Sequence, residues 1–82
     1  MVMIKPALPY LDVLKTTVEQ VHVPVFAYHV SGEYAALKFA AEAGAIDYER
    51  AVMESMLSLK RAGARAIFSY SAIDCIDIIN QI

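Results

Sequence analysis

The chain has 82 residues, of which 59% are hydrophobic and 20% charged, with a net charge of −2. That length allows one small domain and excludes a complete (β/α) barrel, which takes roughly 250 residues. The seven Lys and Arg form no basic stripe, which speaks against a nucleic-acid partner, and no run approaches the roughly 18 apolar residues of a membrane helix.

The apolar share exceeds the usual half or so. A monomer of this size has too little interior to hide it, so the composition points to a piece of a larger core, or to a surface buried against a partner. Cys75 is the only cysteine. No internal disulfide can form, which fits a reducing compartment and a cytoplasmic location.

The start, Met1-Val2-Met3-Ile4-Lys5, has no basic segment before its apolar run and does not read as a signal peptide. It reads as a strand over residues 2–5, entered partway through a fold and stopped by Pro6 and Pro9. A helix follows at about 10–20, with Leu11, Leu14, Val18 and Val21 on one apolar face. Pro24 opens a second strand over 25–30, rich in aromatic and β-branched residues. Ser31-Gly32 reads as a turn, followed by an Ala-rich helix over 33–43 with Gly44 as its C-terminal cap.

Asp47 suits the N-cap of a helix at about 48–62, with Val52, Met53, Met56 and Leu57 inward and Gly63 at its end. Residues 65–70 read as a third strand. Ser71-Ala72-Ile73-Asp74 fits a capping box opening a last helix with Cys75, Ile76, Ile79 and Ile82 buried. The order β-α-β-α-α-β-α argues an α/β fold with a parallel sheet. Three such strands make a poor open sheet but suit the last three of a barrel.

Active sites of parallel α/β folds lie at the C-terminal ends of the strands. Lys5, Ser31 and Tyr70 sit at those ends, and neighbouring strands lie about 4.8 Å apart, so the three side chains are expected to converge on one small ligand. Lys5 follows four apolar residues and precedes Pro6. Full burial there would favour the neutral amine that attack on a ketone requires. A lysine snorkelling from a strand end produces the same pattern. Ser31 also reads as a turn residue, Tyr70 as an amphipathic strand end, and Tyr28 as a core or pocket-wall residue. His29 reads as a satisfied core histidine or a proton relay, His22 as solvated, and Glu33 as a helix-start carboxylate favoured by the macrodipole. One cysteine and two histidines without ligand spacing do not make a metal site, and no Gly-rich phosphate loop is present.

The segment Met3-Ile4-Lys5-Pro6-Ala7-Leu8-Pro9-Tyr10-Leu11-Asp12 resembles the active-site lysine block of the porphobilinogen synthase (δ-aminolevulinic acid dehydratase) family. Tyr28-His29-Val30-Ser31-Gly32-Glu33-Tyr34-Ala35 resembles its next signature. Lys60-Arg61-Ala62-Gly63-Ala64 with Ser69-Tyr70 resembles its last strand. These blocks keep the family's order and spacing across nearly the whole chain.

The resemblance implies the C-terminal portion, about three βα units, of a (β/α)8 TIM barrel. The enzyme implied is a lyase that condenses two molecules of 5-aminolevulinate into porphobilinogen, in haem and other porphyrin biosynthesis. Lys5 then matches the lysine that forms a Schiff base with one substrate. Ser31 and Tyr70 match hydroxyls that hold that substrate's carboxylate, and Tyr28 matches a pocket aromatic. The family's second lysine, its zinc or magnesium ligands and the N-terminal arm of its octamers belong to segments outside this chain, so no cofactor site is expected within it. Arg65 stands where the family usually carries an acidic residue, and Ser69 where threonine is common.

Two further readings follow from the same residues. One is a catalytically inactive barrel fragment that self-associates or docks on an N-terminal partner. The other is a class I aldolase-like lyase, which shares the strand lysine but not the Ser31-Gly32-Glu33 block.

Overall fold

Val2, Met3 and Ile4 form β1 (Val2–Ile4), and Pro6, which cannot donate to a ladder, follows directly. The computed structural model describes residues 1–80, with side chains described through Asp77. A 3-10 turn (Leu8–Tyr10) leads into α1 (Leu11–Gln20), then β2 (Val25–His29), α2 (Ser31–Glu42), α3 (Tyr48–Arg61), β3 (Ala66–Ser69) and α4 (Ala72–Asn80). The strands make one parallel sheet in the order β1-β2-β3. Met3 pairs with Phe26 and Ile4 with Ala27. Phe26 pairs with Ala66, Tyr28 with Phe68 and His29 with Ser69. The chain is therefore an α/β unit with a three-stranded parallel sheet.

Strand alternation sorts the side chains onto two faces. Val25, Ala27 and His29 are buried on the helix side. There Ala7, Leu14, Val25, Ala27 and Leu59 form the core, with Ile4, Val18, Met56 and Ile67 packed around it. Burying Leu14 and Leu59 contributes about 2 kcal/mol each. The opposite face carries Met3, Phe26, Tyr28, Phe68 and Tyr70, and no helix of the described residues covers it. Met3 is 41% exposed, Phe68 47% and Tyr70 58%. Parallel sheets are normally buried on both faces, so this bare face accounts for much of the apolar excess in the composition.

Caps fix the helix ends. The Asp47 carboxylate accepts from the Arg50 backbone N–H at 3.3 Å. Gly63 ends α3 at φ +108°, a conformation that favours glycine. Ser31 and Gly32 do not form the expected turn; they are the first two residues of α2. Glu33, third in the helix, accepts from the Val30 N–H at 2.9 Å, and this cap lets the helix begin two residues early.

Other expectations shift as well. Leu57 is 43% exposed rather than inward, and Ile76, expected in the core, is 58% exposed; no further layer packs outside them among the described residues. Cys75 is half-buried. The side chains of Ile79 and Ile82 lie outside the described residues. Ser71 and Asp74 are not engaged as a reciprocal capping box. The Tyr48 hydroxyl donates to the Asp74 carboxylate at 2.7 Å and lies 3.3 Å from the Ser71 hydroxyl, whose proton it accepts, which ties α4 to α3.

Candidate functional site

Because the strands are parallel, their C-terminal ends gather at one rim of the bare face. Lys5 leaves β1 there, Tyr28 lies near the end of β2, and Tyr70 follows β3. An open concavity of about 450 Å³ is lined by Met3, Lys5, Tyr28, Phe68, Ser69 and Tyr70. Met3 and Phe68 supply its apolar floor, and Phe68 is held edge-on by Phe26 at 5.8 Å between ring centres. Lys5, Tyr28 and Tyr70 supply its polar groups. A ketone-bearing ligand would meet one amine and two phenols over apolar surface.

The two phenols form a pair. The Tyr28 hydroxyl donates to that of Tyr70 at 3.3 Å. This bond keeps the Tyr28 proton in place and raises its pKa, with desolvation and repulsion from Tyr70 acting the same way. The Tyr70 ring also stands 6.0 Å from that of Tyr34 on α2.

Lys5 is exposed. The burial expected around its amine is not supplied by the described residues, none of which packs over the open face. Ser31 is brought to the same end of the sheet, but as an exposed residue in the first turn of α2, outside the lining of the concavity. The structure thus brings together Lys5, Tyr28 and Tyr70, and leaves Ser31 beside them.

Three features of the site were not legible as such in the sequence. Glu33 uses both carboxylate oxygens, one on Val30 N–H and the other on Leu8 N–H, each at 2.9 Å. Met3, which alternation puts on the face of Lys5, and Phe68 both line the concavity; for Phe68 the available signal is its period-2 alternation with Tyr70. Lys38 lies with its ammonium 4.3 Å from the centre of the Tyr48 ring and 3.9 Å from Asp74, bracing the helices behind Tyr70.

His29 is fully buried, with Nδ1 3.1 Å from the Ser69 hydroxyl. Burial lowers its pKa, opposed by the nearby Glu33 charge. It lies on the helix side, so it does not reach the concavity. Among the described residues no group of three or more His, Cys, Asp or Glu is placed to hold a metal ion. The donors among these residues do not fit a zinc or magnesium centre. Among the same residues no helix is long and apolar enough to cross a membrane.

A family model for delta-aminolevulinic acid dehydratase matches residues 1–78. The chain belongs to the delta-aminolevulinic acid dehydratase family. It is 58% identical over 72 residues to the Escherichia coli (strain K12) delta-aminolevulinic acid dehydratase, covering 88% of this chain and 22% of that protein. It is 54% identical over 74 residues to the Streptomyces coelicolor enzyme of the same name, covering 90% and 22%. The fold superposes on the crystal structure of Toxoplasma gondii delta-aminolevulinic acid dehydratase (porphobilinogen synthase) in complex with its reaction product porphobilinogen. The TM-score is 0.94 at 47% identity, covering 98% of this chain and 23% of that one. The chain therefore spans between a fifth and a quarter of the length of the family members it matches.

Proposed function

We propose that the chain is the C-terminal portion, about three βα units, of a (β/α)8 barrel. It carries one substrate half-site of porphobilinogen synthase, which condenses two 5-aminolevulinate molecules. The observation that carries this reading is the convergence of Lys5, Tyr28 and Tyr70 on one concavity at the C-terminal rim of a parallel sheet. Membership of the family and the likeness to a product complex support it.

In this reading the deprotonated Lys5 amine adds its lone pair to the ketone carbon of 5-aminolevulinate. The two protons of the amine nitrogen are passed in turn to the carbonyl oxygen, which leaves as water, and a C=N bond remains between substrate and lysine. The Tyr28–Tyr70 pair offers a hydroxyl to the oxygen as it leaves. Ser31, in the first turn of a 12-residue helix, is placed where backbone N–H groups and the helix dipole favour a carboxylate, and so takes that end of the substrate with Tyr70.

The test is reductive trapping. Borohydride and 5-aminolevulinate are expected to add to the chain the mass of the substrate, less one water and plus two hydrogens, located on Lys5 by peptide mapping. Lys5→Arg should abolish it, since a guanidinium does not form the imine. No adduct on a folded chain, with a full-length family member labelling alongside, would reject the half-site.

A second reading is favoured by the bare sheet face: the chain alone does not turn over and associates through that face. Joining two substrates takes groups from both half-sites, and losing part of a unit removes nearly all activity. Size-exclusion chromatography is expected to show a dimer or larger species. A stable monomer would reject the association.

A further inference from the structure

We infer that Glu33 is a positioning residue that couples the loop carrying Lys5 to the start of α2, which carries Ser31. This inference rests on the half-site reading above. The Glu33 side chain accepts from Val30 N–H through one oxygen and from Leu8 N–H through the other, both at 2.9 Å. Val30 immediately precedes Ser31. Leu8 closes the short loop that begins at Lys5.

An ordinary helix cap needs only the first of these bonds. The second spans 25 residues and joins the exits of two neighbouring strands. Charge-assisted hydrogen bonds are short and roughly twice as strong as neutral ones, and a carboxylate accepting two of them fixes the spacing between its donors. The Lys5 loop is also anchored to β2 without Glu33, by the bond from Ala7 N–H to the Tyr28 carbonyl at 3.2 Å and by burial of Ala7 in the core. Loss of Glu33 therefore leaves the loop attached but free to shift relative to Ser31.

The consequence is specific to a ligand held at two points. A substrate with a ketone for Lys5 and a carboxylate for Ser31 depends on the distance between the Lys5 loop and the start of α2. One with only the ketone does not.

Glu33→Gln provides the test. The amide is isosteric but has one acceptor oxygen, so it can serve Val30 or Leu8 and not both. Reductive trapping rates are measured with 5-aminolevulinate and with aminoacetone, which keeps the amine and ketone and lacks the carboxylate arm. The variant is expected to trap 5-aminolevulinate more slowly, on the order of tenfold, while aminoacetone trapping stays near the wild-type rate. Hydrogen exchange should show faster exchange at Leu8 or Val30 with Ala27 unchanged. Equal losses with both ketones, or no loss with either, would overturn the coupling. Failure of the wild-type chain to label Lys5 would instead remove the half-site, and Glu33's role in it; amide exchange then decides separately whether the Lys5 loop and the start of α2 are joined.

Discussion

The hydroxyls of Tyr28 and Tyr70 meet at 3.3 Å across the ends of β2 and β3, and Tyr28 is the donor. A phenol that donates loses that bond on ionising, so the pair raises the pKa of Tyr28. Tyr70→Phe removes the acceptor and is expected to bring Tyr28 back toward an ordinary tyrosine near pH 10. A phenolate absorbance titration, with Tyr28→Phe to assign the signal, checks this. An unmoved Tyr28 transition would mean that the two hydroxyls do not pair in solution.

Tyr48 is pushed up to about 12, chiefly by burial, with its bond to Asp74 adding and its bond to Ser71 opposing. The folded pKa lies above the unfolded value near 10. The stability that the neutral phenol contributes is thus complete below pH 10 and lost as pH rises through 12. Tyr48→Phe is expected to cost about 1 kcal/mol at neutral pH, the low end for a partly exposed bond to a charged acceptor. Denaturant melts of both proteins should converge between pH 10 and 12. A gap that persists undiminished would reject the assignment.

How much of this was legible follows from what each kind of residue reports. Helical spacing such as that of Leu11, Leu14 and Val18, apolar runs bounded by Pro6 and Pro24, and the glycine stops at Gly44 and Gly63 place every strand and α-helix and the parallel α/β class, because local periodicity reports which face is buried; the 3-10 turn at Leu8–Tyr10 carries no such signal. The start of α2 is hidden in the sequence because Ser31-Gly32 looks like a turn until the Glu33 carboxylate is seen satisfying Val30. Periodicity points Leu57 and Ile76 inward because it identifies an apolar face without showing whether anything covers it.

The site divides in the same way. Lys5 and Tyr70 were legible as strand-end residues on one sheet rim. The contact of Tyr28 with Tyr70 depends on the register of β2 against β3, which pairs Tyr28 with Phe68 and is set by packing rather than by either segment alone. The double use of Glu33 joins residues 25 apart, beyond the reach of any local pattern.

His29 carries a pH dependence of opposite sign to Tyr48. Its burial lowers the folded pKa below the unfolded value near 6.5. The stability of the neutral imidazole is present above pH 6.5 and is lost as pH falls through the folded pKa. The unfolding midpoint in urea is expected to drop between pH 7 and 5, and to drop less in His29→Gln, which can still meet Ser69 but does not titrate. Parallel declines in the two proteins would place the acid sensitivity elsewhere.

Gly63 tests the seam between α3 and α1. Its φ is +108°, and a Cβ added there would lie 2.8 Å from Cγ1 of Val18. Gly44, at φ +79°, has open space around the same position. Gly44→Ala is therefore expected to cost only the backbone penalty, about 1 kcal/mol. Gly63→Ala should cost more, about 2 kcal/mol or above, because overlap with Val18 adds to it. Val18→Ala removes both γ-carbons and costs about 1 kcal/mol alone through lost packing. If the overlap is real, Gly63→Ala with Val18→Ala will be less destabilised than the sum of the singles, which a double-mutant cycle on denaturant midpoints reads directly. Additive costs would show that Val18 yields without strain and that backbone conformation alone selects glycine at this position.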